Sequence, residues 1–237
     1  MKTILDKGYV RLVDSMGSDL TIVNAARASF AKESHELNEK DERLIKFLAD
    51  NNHTSPFRHA VLQFEIKAPL MVARQWWKYI IGSSHLEGSQ EALNAWNESS
   101  RRYVTEDPTF YIPNENEWRG KPANNKQGST DPVSNEIGFK FTKELEEYID
   151  KGVALYENAM ESGICAEEAR LFLPAYGMYV NWYWTASLQA VAHFTKQRMD
   201  NHSQYEIRQY AKAVKDLALE KFPLGMAAFL TEEEINE

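Results

Sequence analysis

The chain has 237 residues, of which 43% are hydrophobic and 26% charged, and its net charge at pH 7 is −8. That is enough chain for one large globular domain with a sizeable core, and no apolar run approaches the roughly 18 residues of a membrane-spanning helix. The acidic balance argues against broad binding to a nucleic-acid backbone, although a local arginine cluster can still hold one small phosphate ligand. The opening residues, MKTILDKGYVRLVD, lack a signal-peptide core, so a cytoplasmic protein without membrane or nucleic-acid partners is expected. With Cys165 the only cysteine, an intrachain disulfide and a cysteine-based metal site are both excluded. Glu161, Glu167 and Glu168 lie near it in sequence and disfavour a thiolate, so Cys165 reads as structural.

Residues 8–14 read as a short strand and residues 19–30 as a helix with Asp19 as its N-cap. Residues 41–50 form a clearer helix, with Leu44, Ile45 and Leu48 as its apolar stripe. A loop at 51–56 follows, marked by Asn51, Asn52 and Pro56. Residues 60–67 alternate: Leu62, Phe64 and Ile66 point one way, Gln63, Glu65 and Lys67 the other. Pro69 sits where a first-turn helix proline is expected, and residues 71–81 should be helical, placing Gln75, Lys78 and Tyr79 on one face.

Residues 82–100 break the pattern, with a short helix expected over 90–96 and an extended edge over SRRYV. Four prolines and several glycines make 107–137 a long irregular segment, of the kind that is functional or disordered. Residues 139–161 predict a long helix with Phe141, Leu145, Tyr148, Leu155 and Ala159 near one stripe, Gly152 weakening its middle, and Gly163 as its C′ residue. AEEARLFL restarts a helix that stops at Pro174. YGMYVNWYWTAS reads as a strand. Ser187 can open a helix to about Met199, and Ser203 with Glu206 suggests a capping box for a last helix over 204–222. Its stripe would be Ile207, Tyr210, Ala211, Val214 and Leu217. No repeat or domain boundary is visible, so 1–237 is read as a single α+β domain with a mainly antiparallel sheet and long helices.

The stretch 74–103 concentrates the chemistry. It opens with Arg74 and Lys78, closes with Arg101 and Arg102, and holds Gln75, Tyr79, His85, Glu98, Ser99 and Ser100 between them. Aromatics mixed with fixed-charge donors suit a flat ring and an anion. Glu98, Ser99, Ser100, Arg101 and Arg102 read as a polar strip for a nucleotide, because guanidinium forks match phosphate or an imide edge. Arg170 and Arg198 also sit beside apolar residues. His53 lies in a defined turn with Ser55 and Pro56. The tryptophan pairs 76–77 and 182–184 read as core. No metal motif, GxSxG elbow, GxGxxG or P-loop occurs, so no metal is expected and any nucleotide cofactor is bound some other way.

In order along the chain, NAARASF (24–30), HTSPFRHAVLQFEIKAPLMVARQWWK (53–78), NESSRRY (97–103), FYIP (110–113), ARLFLP (169–174), RMDNHSQYEIRQYA (198–211) and FPLGMAAF (222–229) resemble the flavin-dependent thymidylate synthases. The resemblance implies the thymidylate synthase-complementing type of fold. It implies conversion of dUMP to dTMP with FAD as hydride carrier, NADPH as reductant and methylenetetrahydrofolate as carbon donor, without a cysteine nucleophile. It implies a homotetramer whose active sites are shared between subunits. Carried over by position, Arg198 is the catalytic arginine that polarises the uracil N3–O4 edge. Gln75, Lys78, Glu98, Ser99, Ser100, Arg101, Arg102 and Arg170 lie around dUMP, with Arg102 and Arg170 nearest its phosphate. His53, Ser55, Lys78, Tyr79, Ile80, Glu98, Ser187, Gln189 and His193 fall at FAD-contacting positions.

The chain departs from the family where an Arg-His-Arg run is replaced by Lys78-Tyr79-Ile80 and about a dozen residues are inserted near 84–96. His85 or Arg101 would then supply the missing cation. Ser187, Gln189 and His193 also replace the Asn, Arg and Asn of the family. The alternative implied by these departures is a catalytically silent homologue that binds nucleotide but has lost flavin. A nucleic-acid-binding module using RQWWKY for stacking is the other alternative, opposed by the acidic charge.

Overall fold

Strict alternation through the middle of the chain builds a sheet with one dry face. The computed structural model describes residues 1–77, 94–98, 107–123 and 128–236. Strands β1 (Lys2–Ile4), β2 (Gly8–Met16), β3 (Val61–Pro69), β4 (Asn94–Glu98) and β5 (Tyr179–Ser187) form an antiparallel sheet in the order β1-β2-β3-β5-β4. Leu62, Phe64 and Ile66 on β3 and Trp182 and Trp184 on β5 are buried on its inner face. Outside, Gln63 Nε2 donates to Thr185 Oγ1 at 3.1 Å and Tyr9 Oη donates to Glu65 Oε1 at 2.8 Å. Buried apolar residues thus face polar cross-strand pairs, as the period of two requires.

The helices are α1 (Asp19–Arg27), α2 (Glu39–Asp50), α3 (Leu70–Trp76), α4 (Asn135–Glu161), α5 (Ala166–Ala169), α6 (Leu188–Met199), α7 (Tyr205–Lys221), α8 (Pro223–Ala227) and α9 (Glu232–Asn236). The α7 stripe is buried as expected at Ile207, Tyr210, Ala211, Val214 and Leu217. Ser187 caps α6, its Oγ accepting from Ala190 N at 3.2 Å. The tryptophans are core: Trp76 stacks on Phe194 at 4.2 Å and meets Trp182 and Trp184 edge-on at 5.4 and 5.3 Å.

Several local expectations are corrected. The N-cap of α1 is Ser18, while the buried Asp19 carboxylate accepts from Leu224 N at 2.9 Å and Gly225 N at 2.8 Å. It thereby serves the start of α8, and burial raises its pKa even against those two bonds. Pro69 ends β3 and caps α3 rather than occupying its first turn. The helix expected over 90–96 is a strand from Asn94, because β5 offers its open edge there. The capping box at α7 does not form: Gln204 is the N-cap, Ser203 Oγ donates to Gln197 O, and Glu206 accepts from the Gln204 side chain. The SRRYV edge, residues 78–81 of the expected helix and the 82–93 part of the irregular stretch lie outside the described residues.

Helix α4 begins earlier than expected, and only Ala159 and Leu145 of its expected stripe face inward. Gly138, Ile149, Gly152 and Ala159 are buried, whereas Phe141, Tyr148 and Leu155 are exposed. Its glycines are close-approach points rather than weak spots. A Cβ on Gly152 would lie 2.8 Å from Phe172 O, and one on Gly138 would collide with Glu115 O. With the backbone of the 113–118 loop resting on it, Gly138→Ala is expected to destabilise the protein by about 1–3 kcal/mol in urea denaturation. An unchanged midpoint would show that the loop yields freely.

Two strand–helix units fix the site. Pro69 pairs with Tyr179 at one end of the β3–β5 ladder, and Val61 pairs with Ser187 at the other. Helix α3 therefore leaves the sheet at the end where β5 begins. Helix α6 starts at the opposite end, with Leu188 N donating to Ala60 O at 2.8 Å. Its 12 residues carry the chain back by about 18 Å across the inner face. The end of α6 consequently meets the end of α3.

Candidate active site

Where those two ends meet, Arg198 Nη2 donates to the Gln75 carbonyl at 3.0 Å. The Gln75 side chain continues the network, Nε2 donating to Gln204 Oε1 at 2.5 Å. Gln204 Nε2 in turn donates to Glu206 Oε2 at 2.8 Å. Residues separated by more than a hundred positions are thus locked together at the wall of a cavity of about 1170 Å³. Its walls come from the ends of α3 and α6, the α6–α7 connection, one side of α4, and the segment around Tyr111 and Trp118–Arg119.

The cavity is mixed in character. Arg119, Lys196 and Arg198 bring cations to it, and Glu117, Asp200 and Glu206 bring carboxylates. Met71, Phe110, Leu145 and Ile149 supply apolar wall. The Tyr111 phenol is pushed well above its ordinary pKa, first by burial and then by Glu206 and Glu117, so it stays a proton donor across the working range. A fixed guanidinium, an amide and a protonated phenol around an apolar cleft suit a flat, hydrogen-bonding ring.

Of the residues expected around the nucleotide, Gln75 and Arg198 are in this cavity. Lys78, Ser99, Ser100, Arg101 and Arg102 lie outside the described residues, as do Tyr79, Ile80 and His85. Glu98 ends β4, exposed, opposite Trp182. Arg170 does not line the cavity; it is exposed on the segment after α5, with Nε donating to Glu167 O at 3.1 Å.

The expected flavin positions gather elsewhere. His53 is exposed, with its ring edge-on to Phe47 at 6.0 Å, and Ser55 opens the 3-10 segment Ser55–His59. That segment packs on the first turn of α6, where Arg58 Nε donates to Gln189 Oε1 at 2.6 Å. His193, one turn further, is half-buried, and burial lowers its pKa toward the neutral imidazole. Ser187 is fully buried, and its Oγ accepts from Ala190 N as the cap of α6. Gln189 and Arg198 are nine residues apart on one helix, about 13 Å along its axis. Within one chain, therefore, Gln189 with the Ser55–His59 segment and Arg198 with Gln75 sit at opposite ends of α6.

Arg58, Tyr111, Arg119, Gln204 and Glu206 escaped the sequence reading. Gln204 and Glu206 lay within a segment already singled out, RMDNHSQYEIRQYA, and Arg58 within another. Arg119 lay in the irregular 107–137 stretch, where no local signal separated it from its neighbours.

A family model described as thymidylate synthase complementing protein matches residues 11–224. A flavin-dependent thymidylate synthase of Thermosipho africanus is 37% identical over 227 residues, covering 96% of this chain and 92% of that protein. One from Thermus thermophilus is 37% identical over 234 residues, covering 99% of this chain and 79% of the relative. Among solved structures, the UMP/dUMP methylase PolB from Streptomyces cacaoi, bound with 5-Br dUMP, is similar at a TM-score of 0.80 and 27% identity, with 95% of this chain and 96% of that one covered. With fold, cavity and relatives in agreement, the chain belongs to the thymidylate synthase complementing family, that of the flavin-dependent thymidylate synthases.

Proposed function

We propose that this chain methylates dUMP to dTMP, using methylenetetrahydrofolate as carbon donor, FAD as hydride carrier and NADPH as reductant. The observation that carries the reading is the Arg198–Gln75 contact at 3.0 Å on the wall of a nucleotide-sized cavity. A guanidinium fixed there by a carbonyl can face the N3–O4 edge of a uracil. Negative charge developing on that edge is stabilised without reorganisation, which makes C5 a better nucleophile. Gln75 and the protonated Tyr111 are further ring partners. The names of the relatives, and the 5-Br dUMP bound by PolB, support dUMP as the substrate.

The phosphate would fall to Ser99, Ser100, Arg101 and Arg102, with Arg170 contributed by another copy. Arg170 sits beside Leu171, Phe172 and Tyr176, which are 83%, 45% and 66% exposed. Helix α4 leaves Phe139, Phe141 and Tyr148 exposed as well. Apolar surface of that extent supports a homotetramer with shared sites, each copy one domain over 1–237.

FAD, when bound, supplies the hydride that reduces the transferred carbon. His53, Ser55, Gln189 and His193 would hold it, with Lys78, Tyr79, Ile80 and Glu98. Their donor set fits such a group: Arg58, fixed by Gln189, adds a guanidinium suited to a diphosphate, and the two imidazoles and the amide suit a polar ring. A cytoplasmic location accords with this metabolic role.

The test is to incubate purified protein with dUMP, methylenetetrahydrofolate and NADPH and follow both dTMP and flavin absorbance. Yellow protein that bleaches with NADPH and forms dTMP is expected. Colourless protein that binds dUMP but refuses added FAD would instead identify the silent homologue. Cys165 is exposed at the start of α5. Cys165→Ala is expected to leave kcat within about twofold; loss of turnover in a folded variant would contradict a mechanism without a cysteine nucleophile.

A further inference from the structure

Trp118–Gly120 and Thr130–Val133 form a small hairpin-like clip. Gly120 N donates to Asp131 O at 3.1 Å, Thr130 N to Gly120 O at 3.0 Å, and Val133 N to Trp118 O at 2.7 Å. The clip is fastened to α4, because the Trp118 indole donates to Thr142 Oγ1 at 2.8 Å. So held, it extends Arg119 to the start of α7. Arg119 Nε donates to Ser129 Oγ at 2.8 Å, and its guanidinium lies 4.7 Å from the centre of the Tyr205 ring.

A rigid, half-buried guanidinium usually has a carboxylate. Among the described residues, none forms an ion pair with Arg119, and no acceptor meets either Nη atom. The ring and hydroxyl fix its direction but, among the described residues, leave its charge uncompensated. A second guanidinium, Arg208, lies 5.8 Å from the same ring and raises the local positive potential. The N-terminus of the 17-residue α7 adds to it. Of the carboxylates on the cavity, Glu206 is engaged by Gln204, Glu117 by the backbone N and Nδ2 of Asn114, Asp200 by His202 and Glu234 by Thr231 N, while Glu233 on α9 makes no ion pair with Arg119. Arg119 and Arg198 line the same cavity.

We infer that Arg119 is an oxyanion-recognising residue of this cavity, taking a phosphate or carboxylate of a ligand bound beside Arg198. The inference rests on the proposed function, whose carbon acceptor and carbon donor each carry such a group: dUMP its phosphate, the folate its glutamate carboxylates. An Nη edge facing the cavity gives a charge-assisted hydrogen bond, directional as well as strong.

The experiment measures dissociation constants on the flavin-loaded protein and on its Arg119→Gln variant. The probes are dUMP, deoxyuridine, tetrahydrofolate and a pterin lacking the glutamate. If the phosphate is the partner, Arg119→Gln weakens dUMP about 10- to 100-fold and leaves deoxyuridine unchanged. If the carboxylate is the partner, dUMP is unchanged, tetrahydrofolate weakens by that factor, and the pterin does not. Arg119→Lys keeps the charge without the fork and is expected to fall between, which guards against a variant that merely loosens the clip. Unchanged affinities for dUMP and tetrahydrofolate in a variant that melts like the parent would overturn the assignment. A parent protein that binds neither ligand would sink the proposed function along with it.

Discussion

Arg198→Ala is expected to lower the rate of thymidylate formation about 10²–10³-fold, the usual cost of deleting one preorganised charge-stabilising donor. The residue is half-buried and tied to the Gln75 carbonyl at 3.0 Å, so its guanidinium is set before substrate arrives. Flavin content is expected to hold, because His53, Ser55 and Gln189, among the expected flavin positions, lie toward the other end of α6. That separates this variant from one that fails through loss of cofactor. Arg198→Lys keeps the charge but not the fork, and intermediate turnover is expected. A kcat within threefold of the parent in Arg198→Ala would remove this residue from the chemistry. The measurement is steady-state dTMP production at saturating dUMP, with flavin absorbance read on the same sample.

The second large effect is on stability. Trp76 is completely buried, stacked on Phe194 at 4.2 Å and edge-on to both Trp182 and Trp184. It therefore joins α3, α6 and β5 at one point. Trp76→Ala is expected to destabilise the fold by about 3–5 kcal/mol, from lost transfer energy and the cavity left behind. Equilibrium urea denaturation followed by far-UV circular dichroism measures it. Trp76→Phe retains the stack on Phe194 and is expected to cost about half as much. Because Gln75 precedes Trp76 on α3, Trp76→Phe is also expected to raise KM for dUMP before the fold is lost. A loss under about 1 kcal/mol for the alanine variant would mean that the aromatic cluster closes over the gap.

Periodicity made part of this molecule readable in advance. The alternation in 60–67 placed Leu62, Phe64 and Ile66 inward, the 3.6-residue repeat in α7 named its whole buried stripe, and Ser187 marked the start of α6. Those signals are written in neighbouring residues. In α4 the expected stripe holds at Leu145 and Ala159 but fails at Phe141, Tyr148 and Leu155, because side-chain size is no guide to burial there. The face that packs closest uses Gly138 and Gly152, whose lack of a side chain admits another backbone, while Phe141 and Tyr148 are left outward. Strand β4 carries no alternation in its sequence, and its pairing with the edge of β5 selects its conformation.

The same division runs through the site. Arg198 and Gln75 were legible because the motifs that contain them are distinctive. Their mutual contact was not, since it depends on the length of α6 matching the span of the sheet. Arg119 was invisible for a related reason: its partners Ser129 and Tyr205 meet it only after the clip folds against α4. Ser187 carries a role the family position did not announce, since its hydroxyl caps its own helix.

The pairing of β3 with β5 has a kinetic consequence. Pro69 meets Tyr179 across a separation of 110 positions, so the ladder that sets the two helix ends closes a very long loop. Loop closure of that size costs chain entropy before any contact repays it, and topologies dominated by such pairings fold slowly. Gln75 and Arg198 therefore come together only once this long-range pairing has formed. Nucleotide affinity during refolding is expected to track that pairing rather than the formation of either helix alone. A nascent chain carries no half-formed version of this cavity: until β5 has emerged and found β3, the residues that would grip the ring belong to unconnected pieces.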